Sequence, residues 1–149
     1  MSKVPEGFTS VTPTLMVNGA AEAIDLYDKA LGAKELYRMN CPQSGKVLHA
    51  CVQIGSSRVF LSDANVEKGC IATSSNFYLF VDDVDAAFQK AKQSGLTERS
   101  APEDMFWGDR VSNLQDRFGN NWTLAQRVRE VSPQELEEAV RKMSAKTAA

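Results

Sequence analysis

The sequence predicts an α+β fold built from two copies of one module, because the chain contains the same phrase twice. Residues 11–32 read VTPTLMVNGAAEAIDLYDKALG, and residues 75–95 read SNFYLFVDDVDAAFQKAKQSG. Val17 and Val81, which end the first strand of each copy, lie 64 residues apart. Only two copies are present, which indicates a duplicated module rather than a repeat array. We therefore expect two βαβββ modules forming a curved, barrel-like mixed sheet around a cavity, plus a C-terminal helix.

An amphipathic helix follows the first strand in each copy. Its apolar residues recur at the i, i+3, i+4, i+7 spacing of one helix face. They are Ala20, Ala23, Ile24, Tyr27 and Leu31 in the first copy, and Val84, Ala87, Phe88 and Ala91 in the second. Asn18 and Asp82 stand where a capping side chain is expected. Gly32 and Gly95 are expected to end the helices, because glycine tolerates a positive φ.

Short runs of strand-forming residues complete each module. In the first copy we expect strands over 11–17, 33–39, 47–54 and 58–62; in the second, over 76–81, 96–100, 110–115 and 121–126. The modules then cover 8–65 and 76–127, within one compact double-module domain. A C-terminal helix is expected over 132–144, where Ser132 and Glu135 have the spacing of a capping box.

Composition excludes several classes of partner. The 149 residues carry 17 basic and 19 acidic side chains, a net charge of −2, which gives no attraction to nucleic acid or to an anionic membrane. No apolar run approaches the roughly 20 residues of a membrane span, and the first ten residues lack the core of a signal peptide. Cys41, Cys51 and Cys70 show no paired spacing, which argues against a disulfide framework or a zinc site. We expect a cytoplasmic protein.

The module plan, with VDDVDAAFQKAKQSG and DRFGNNWTLAQ, resembles the vicinal oxygen chelate superfamily, which includes glyoxalase I, extradiol dioxygenases and bleomycin-binding proteins. GKVLHACVQIGSSRVFLSDAN resembles its PhnB-like branch. The resemblance implies metal ligands on the first and last strand of each module. The matching positions are Thr12, Asn76, Thr123 and an apolar residue, Val59 or Phe60. His, Glu or Gln would be expected there in a metal enzyme, so we expect no metal and no other cofactor.

Strand alternation selects the residues that face away from the helices. The candidate ligand-binding residues are Thr12, Thr14, His49, Arg58, Phe60, Asn76, Tyr78, Phe106, Trp107, Arg110 and Thr123. His49 is the single histidine; it either contacts a ligand or acts as an acid–base group, or it has a purely structural role. The loop MFWGDR has two interpretations as well. Either Trp107 stacks on a flat ligand while Arg110 holds an anionic group, or Trp107 plugs the barrel end while Asp109 pairs with Arg110.

Three functions fit this sequence. The leading hypothesis is a metal-free protein of the bleomycin-binding type, in which a homodimer holds a small organic ligand. The first alternative is a glyoxalase- or dioxygenase-like lyase or isomerase that uses His49 or a weakly held divalent metal. The second alternative is a non-catalytic scaffold with a vestigial pocket. The sequence identifies no ligand.

Overall fold

The computed structural model describes residues 3–148, and it contains two four-stranded sheets and three α-helices. The first module comprises β1 (Thr14–Val17), α1 (Ala20–Leu31), β2 (Lys34–Asn40), β3 (Val47–Ile54) and β4 (Ser57–Asp63). The second comprises β5 (Asn76–Phe80), α2 (Val84–Gln93), β6 (Thr97–Asp104), β7 (Asp109–Gln115) and β8 (Asn121–Arg127). A short 3-10 turn (Val66–Lys68) lies between the modules, and α3 (Pro133–Ala148) ends the chain.

Each module forms its own mixed sheet with the same strand order. The orders are β1-β4-β3-β2 and β5-β8-β7-β6, with the first pair parallel and the others antiparallel. This confirms the α+β class and the doubled βαβββ plan. Among residues 3–148, no strand of one sheet is paired with a strand of the other. The curved, barrel-like sheet expected from the sequence therefore takes the form of two separate sheets within one chain.

The two modules meet on their helix sides. Helix α1 contacts α2, and one apolar cluster contains buried residues from both modules. Tyr27 of α1 reaches the second module, where its ring packs edge-on against Trp122, with 5.2 Å between the ring centroids. We call this cluster the shared core. One face of each sheet packs on the helices and the shared core. The opposite face is turned away from them, and we call these two faces the first and second open faces.

The start of α1 is held by a carboxylate from another element. Gly19 is the N-cap, and Asp63 at the end of β4 accepts from the N–H groups of Gly19 (3.0 Å) and Ala20 (2.9 Å). Asp63 also accepts from Val47 N–H at 2.7 Å, so one side chain joins three elements of the first module. The prediction that Asn18 caps α1 is wrong, because the Asp63 carboxylate accepts from these N–H groups instead.

Other boundaries differ by small amounts. The cap of α2 is Asp83, not Asp82, and its side chain accepts from Ala86 N–H at 3.0 Å. Gly32 ends α1 with φ 69°, as expected. Strand β1 begins at Thr14 rather than at residue 11, so Val11 lies outside the strand and is 80% exposed. Its backbone belongs to the N-terminal segment rather than to the sheet.

The C-terminal helix forms with the expected cap. Ser132 Oγ accepts from Glu135 N–H at 3.2 Å, and the Glu135 carboxylate accepts from Ser132 N–H at 3.4 Å. The helix is longer than expected and extends to Ala148. None of the helices within residues 3–148 is long and apolar enough to cross a membrane.

Candidate functional site

The first open face carries a cluster of aromatic rings around His49. Phe60 pairs with Cys51, and Cys51 pairs with Tyr37, so these side chains lie side by side across three strands. The His49 ring lies 4.6 Å from Phe60 and 5.5 Å from Tyr37 between centroids. The Tyr37 hydroxyl and His49 Nε2 share a hydrogen bond of 3.0 Å. Tyr37 is 42% exposed, so this pair is accessible from the open side.

An N-terminal segment, residues 3–13, lies along this face. The Phe8 ring packs 5.5 Å from Phe60, and the Arg58 guanidinium lies 4.6 Å above the Phe8 ring. Arg58 also donates to the carbonyl oxygen of Glu6 at 2.9 Å. A cavity of about 550 Å³ is lined by this segment together with Tyr37 and Phe60. That volume is within the range of small-molecule pockets, roughly 300–1,000 Å³.

Thr12 and Thr14 lie at the edge of this cavity region. Thr12 precedes β1 and borders the cavity, whereas Thr14 pairs with Phe60 in the sheet and is exposed. The first face therefore groups Thr12, Thr14, His49, Arg58 and Phe60 of the expected residues. A ligand entering here would contact aromatic surface and hydroxyl groups. It would also contact the Phe8 ring, which packs on Phe60.

The second open face is built around a buried carboxylate. Asp109 is only 3% exposed, and it accepts from the Tyr78 hydroxyl at 2.7 Å and from Arg127 Nε at 2.5 Å. Trp107 Nε1 donates to the same Tyr78 oxygen at 3.1 Å. Phe80 is 56% exposed beside Tyr78, with 5.3 Å between the two ring centroids. The face thus combines half-exposed rings with a fixed network of charged and hydroxyl groups.

This network shifts the ionisation of its members. Burial raises the pKa of Tyr78, and the hydrogen bond to Asp109 acts in the same direction. Burial alone would raise the pKa of Asp109, but the hydrogen bonds from Arg127 and Tyr78 outweigh it and lower that pKa. At neutral pH Asp109 is therefore a carboxylate and Tyr78 a phenol, so Tyr78 is the donor in the bond they share.

The polar residues further along the second open face are paired with one another. Asn121 Nδ2 donates to Asn76 Oδ1 at 2.9 Å. The Thr123 hydroxyl donates to Asn113 Oδ1 at 2.6 Å, and Asn113 donates onward to Ser100 at 2.8 Å. These groups present ordered amide and hydroxyl dipoles to a ligand without an unpaired charge.

Arg110 does not join Trp107 on this face. Its guanidinium makes a two-point ion pair with Asp85 of α2, at 2.9 and 3.0 Å, and it contacts Asp104 at 3.1 Å. Arg110 pairs in the sheet with Gln126, whose side chain accepts from the start of α2, so both residues point toward the helices. The structural pair expected between Asp109 and Arg110 is also wrong, because Asp109 bonds to Arg127. Phe106 packs edge-on against Trp107, with 5.0 Å between centroids.

The positions that would hold a metal in related enzymes do not fit one. Asn76 and Thr123 are engaged with neighbouring amides, Thr12 precedes the first strand, and Phe60 offers no donor atom. Divalent cations in proteins bind carboxylate, imidazole, thiolate or carbonyl ligands in clusters. Across residues 3–148, no three His, Cys, Asp or Glu side chains come together in such a group.

Sequence reasoning did not find three residues of the site: Tyr37, Asp109 and Arg127. Arg127 lies on the same face of β8 as Thr123, and Asp109 lies on the same face of β7 as Val111. Each of the two lies one residue outside the strand predicted for it. A longer strand prediction would have included both. Tyr37 gave no such signal, because a register shift between Glu35 and Tyr37 moves it to the open side.

Residues 9–124 match the Glyoxalase/Bleomycin resistance protein/Dioxygenase superfamily, and the chain belongs to this superfamily. An uncharacterized protein of Mycobacterium bovis is 40% identical over 141 residues, covering 88% of this chain and 91% of the relative. An uncharacterized protein of Mycobacterium tuberculosis shows the same identity, with 88% of this chain and 82% of the relative covered.

Solved structures share the fold at low sequence identity. TioX from Micromonospora sp. ML1 superposes with a TM-score of 0.65 at 20% identity, covering 83% of this chain and all of that one. The PhnB protein from Bacillus cereus superposes with a TM-score of 0.63 at 17% identity, covering 79% of this chain and 99% of that one. At these identities the likeness concerns the fold, because one fold hosts many functions.

Proposed function

We propose that this protein binds a small organic ligand without a metal, in the manner of the bleomycin-binding members of its superfamily. The observation that carries the proposal is the composition of the two open faces. Half-exposed rings, Tyr37, Tyr78 and Phe80, stand beside polar groups that are already paired and therefore ordered. A largely apolar wall with a few fixed polar groups is the usual composition of a small-molecule site. The three free thiols favour a reducing compartment, and we place the protein in the cytoplasm.

The proposal includes a homodimer in which two chains enclose the ligand. Both open faces of one chain are turned away from its shared core, so they are not positioned to cover each other. The exposed side chains of Met39, Tyr78 and Phe80 include apolar area that a second chain would remove from water. In the dimer, the first open face of one chain would cover the second open face of its partner, and twofold symmetry would create two equivalent sites.

An acid–base reaction is the second candidate function, and the Tyr37–His49 pair favours it. The pair lies on the first open face with a hydrogen bond of 3.0 Å, and its tyrosine is half exposed. A histidine in contact with a phenol could move a proton to or from a bound substrate in a lyase or isomerase reaction. Without such a reaction the same residues serve as a ligand wall.

A thermal-shift screen with planar aromatic compounds of both charges tests the binding proposal. A compound that binds the folded state selectively raises the melting temperature, and the rise grows with its concentration. Metal analysis of the purified protein accompanies the screen. We expect at least one selective compound and substoichiometric metal. Stoichiometric metal that is lost together with ligand binding would contradict the metal-free proposal.

Two matched variants separate binding from catalysis. His49→Gln removes the titratable ring but keeps a polar side chain, and Gln53→Ala changes a neighbouring position of the same strand. If the site only binds, His49→Gln changes the affinity of a compound from the screen modestly and abolishes no turnover. Turnover of that compound by the wild type, lost in His49→Gln and kept in Gln53→Ala, would establish the enzyme instead. Sedimentation equilibrium at micromolar concentration tests the homodimer, which should have twice the 16.4 kDa chain mass.

A further inference from the structure

Helix α3 stands apart from the rest of the described structure. It extends over 16 residues, and no other helix or strand within residues 3–148 packs against it. Val140 and Met143, in the middle of the helix, are 50% and 52% exposed. Helices of this length are marginal in water without tertiary packing, so an unpacked amphipathic helix indicates a surface that is completed by a partner.

The base of α3 is firmly held. Arg129 Nη2 donates to the Phe106 carbonyl oxygen at 3.2 Å, and Arg129 Nη1 contacts the Glu135 carboxylate at 3.3 Å. Gly108, with φ 98°, lies directly against the Arg129 backbone, where any larger residue would collide with the Arg129 carbonyl oxygen. These contacts tie the segment before α3 to the body, although the length of the helix is uncovered.

One side of α3 carries an apolar stripe. Leu136, Val140 and Met143 are its apolar residues, and Thr147 continues the same alternating spacing of four and three residues. This spacing is the pattern of a helix that packs along another helix. Shallow grooves of about 470 and 500 Å³ lie along this stripe, and both are lined only by α3 residues. The stripe is therefore a continuous surface of the helix and not part of a pocket shared with the body.

The charges on α3 divide sharply along its length. The first half carries Glu135, Glu137 and Glu138, and the second half carries Arg141, Lys142 and Lys146. Within the helix, Arg141 contacts Glu137 at 3.8 Å and Lys142 contacts Glu138 at 3.4 Å. Two such helices side by side and antiparallel place acidic halves against basic halves. The parallel arrangement places like charges together, which disfavours it.

We propose that α3 docks antiparallel against α3 of a second copy of this chain. The pairing is isologous, since the same stripe and the same charges serve both partners about a twofold axis. The helix lies outside the open faces, so this inference goes beyond ligand binding and requires no ligand. One stripe is smaller than the roughly 800 Å² per partner of a standard interface, so α3 strengthens a dimer that has further contacts.

Charge reversal in the full-length protein tests the orientation. Glu137→Lys with Glu138→Lys leaves Glu135 as the only acidic residue of the helix, and Arg141→Glu with Lys142→Glu leaves Lys146 as its only basic residue. We expect each variant to self-associate roughly tenfold or more weakly than the wild type in sedimentation equilibrium at low salt. An equimolar mixture of the two variants should regain the association, because basic and acidic helices then face each other.

Two controls separate pairing from loss of the helix. The fourfold variant that exchanges both pairs keeps complementary halves, so it should self-associate like the wild type, with unchanged helix content by circular dichroism. Val140→Asn on the stripe should weaken association, whereas Ala145→Asn, away from the stripe, should not.

Two results would overturn the inference. One is wild-type association of both charge variants. The other is a mixture that stays dissociated while the fourfold variant also dissociates, since α3 would then dock elsewhere. Neither result depends on the ligand screen, so α3 pairing and ligand binding can fail separately.

Discussion

The shared core and the open faces use similar side chains in opposite ways. In the core, Tyr27 is fully buried, and its hydroxyl donates to Asp116 at 2.6 Å and accepts from Asn120 at 3.2 Å. On the second open face, Tyr78 donates to Asp109 at 2.7 Å, yet 46% of the residue remains exposed. Both regions contain a tyrosine, a carboxylate and a tryptophan N–H donor, but only the core encloses them.

The difference separates stability from binding. Burial raises the pKa of Tyr27 far above its usual value, and the bond to Asp116 adds to that rise, so a closed network holds the two modules together. A network that leaves its rings exposed offers apolar area and oriented dipoles to a ligand or a second chain. Substitutions in the core should therefore lower stability, and substitutions on the open faces should change binding with little effect on stability.

Trp122→Ala should have the largest effect on stability. The indole is 3% exposed, stacks on Phe77 with 4.6 Å between centroids, and donates Nε1–H to Asp116 at 3.0 Å. Removing it leaves a cavity and takes away one of the two donors to Asp116 Oδ2, with an expected loss of about 3–5 kcal/mol in the free energy of unfolding. Urea unfolding measures the loss. A loss below about 1 kcal/mol would mean that the modules do not depend on the shared core.

Tyr27→Phe should have the next largest effect. The ring stays, but buried Asp116 loses a hydrogen-bond donor, at an expected cost of about 1–3 kcal/mol. Tyr37→Phe is the matched control on the first open face, where water can replace the lost partner of His49. Equal losses of unfolding free energy in the two variants would erase the distinction between core and open face.

Asp63→Asn tests the carboxylate that joins three elements of the first module. Burial alone would raise the pKa of Asp63, but the N–H groups of Ala20, Val47 and Gly19 outweigh it and lower the pKa below the usual 3.8. A lowered folded-state pKa stabilises the protein above about pH 5, and the contribution is lost as the pH falls below 3.8 toward the folded-state pKa. The variant should lose about 1 kcal/mol at pH 7, because much of the group is screened by solvent.

The pH series contains its own control. Unfolding of the wild type and of Asp63→Asn is compared at pH 7, 5, 3 and 2, and the difference between them should shrink toward pH 2. A difference that is constant across this range would show that the lost hydrogen-bond geometry, and not the charge, accounts for the effect.

Arg110→Lys should have the smallest effect on stability and none on ligand affinity. Its guanidinium forms ion pairs with Asp85 and Asp104 on the helix side of the sheet, and both carboxylates are largely exposed. Exposed ion pairs contribute little. Lysine loses the two-point contact with Asp85, so we expect a small decrease in melting temperature. Calorimetric titration with a compound from the screen should give an unchanged dissociation constant. Weaker binding by the variant would show that Arg110 contacts the ligand.

Strand parity predicted much of this division from the sequence. Alternation placed Asn76, Tyr78 and Thr123 on the side away from the helices, and the register confirms this. The alternate residues Phe77, Leu79 and Trp122 lie on the helix side. The same rule could have excluded Arg110, since Arg110 shares its parity with Leu114, which is completely buried. Arg110 was instead assigned to the ligand site because it follows Trp107 closely in the motif MFWGDR.

Other features depend on contacts that no local pattern reports. Tyr37 reaches the open side through a bulge in β2, and bulges leave no alternation to follow. Asp63 caps α1 from 43 residues away, so the local candidate Asn18 was preferred. The separation of the two sheets depends on how the helices pack together, which periodicity alone does not determine.

Titration calorimetry of Trp107 variants tests the central claim most directly. Trp107 lies on the second open face and donates to Tyr78, so Trp107→Ala should weaken a compound found in the screen by about 1–3 kcal/mol. Trp107→Phe, which keeps a ring but loses the N–H donor, should lie between the wild type and alanine. The unfolding free energy of each variant should stay within about 1 kcal/mol of the wild type. Unchanged affinity together with a large loss of stability would place Trp107 in the core and contradict the account.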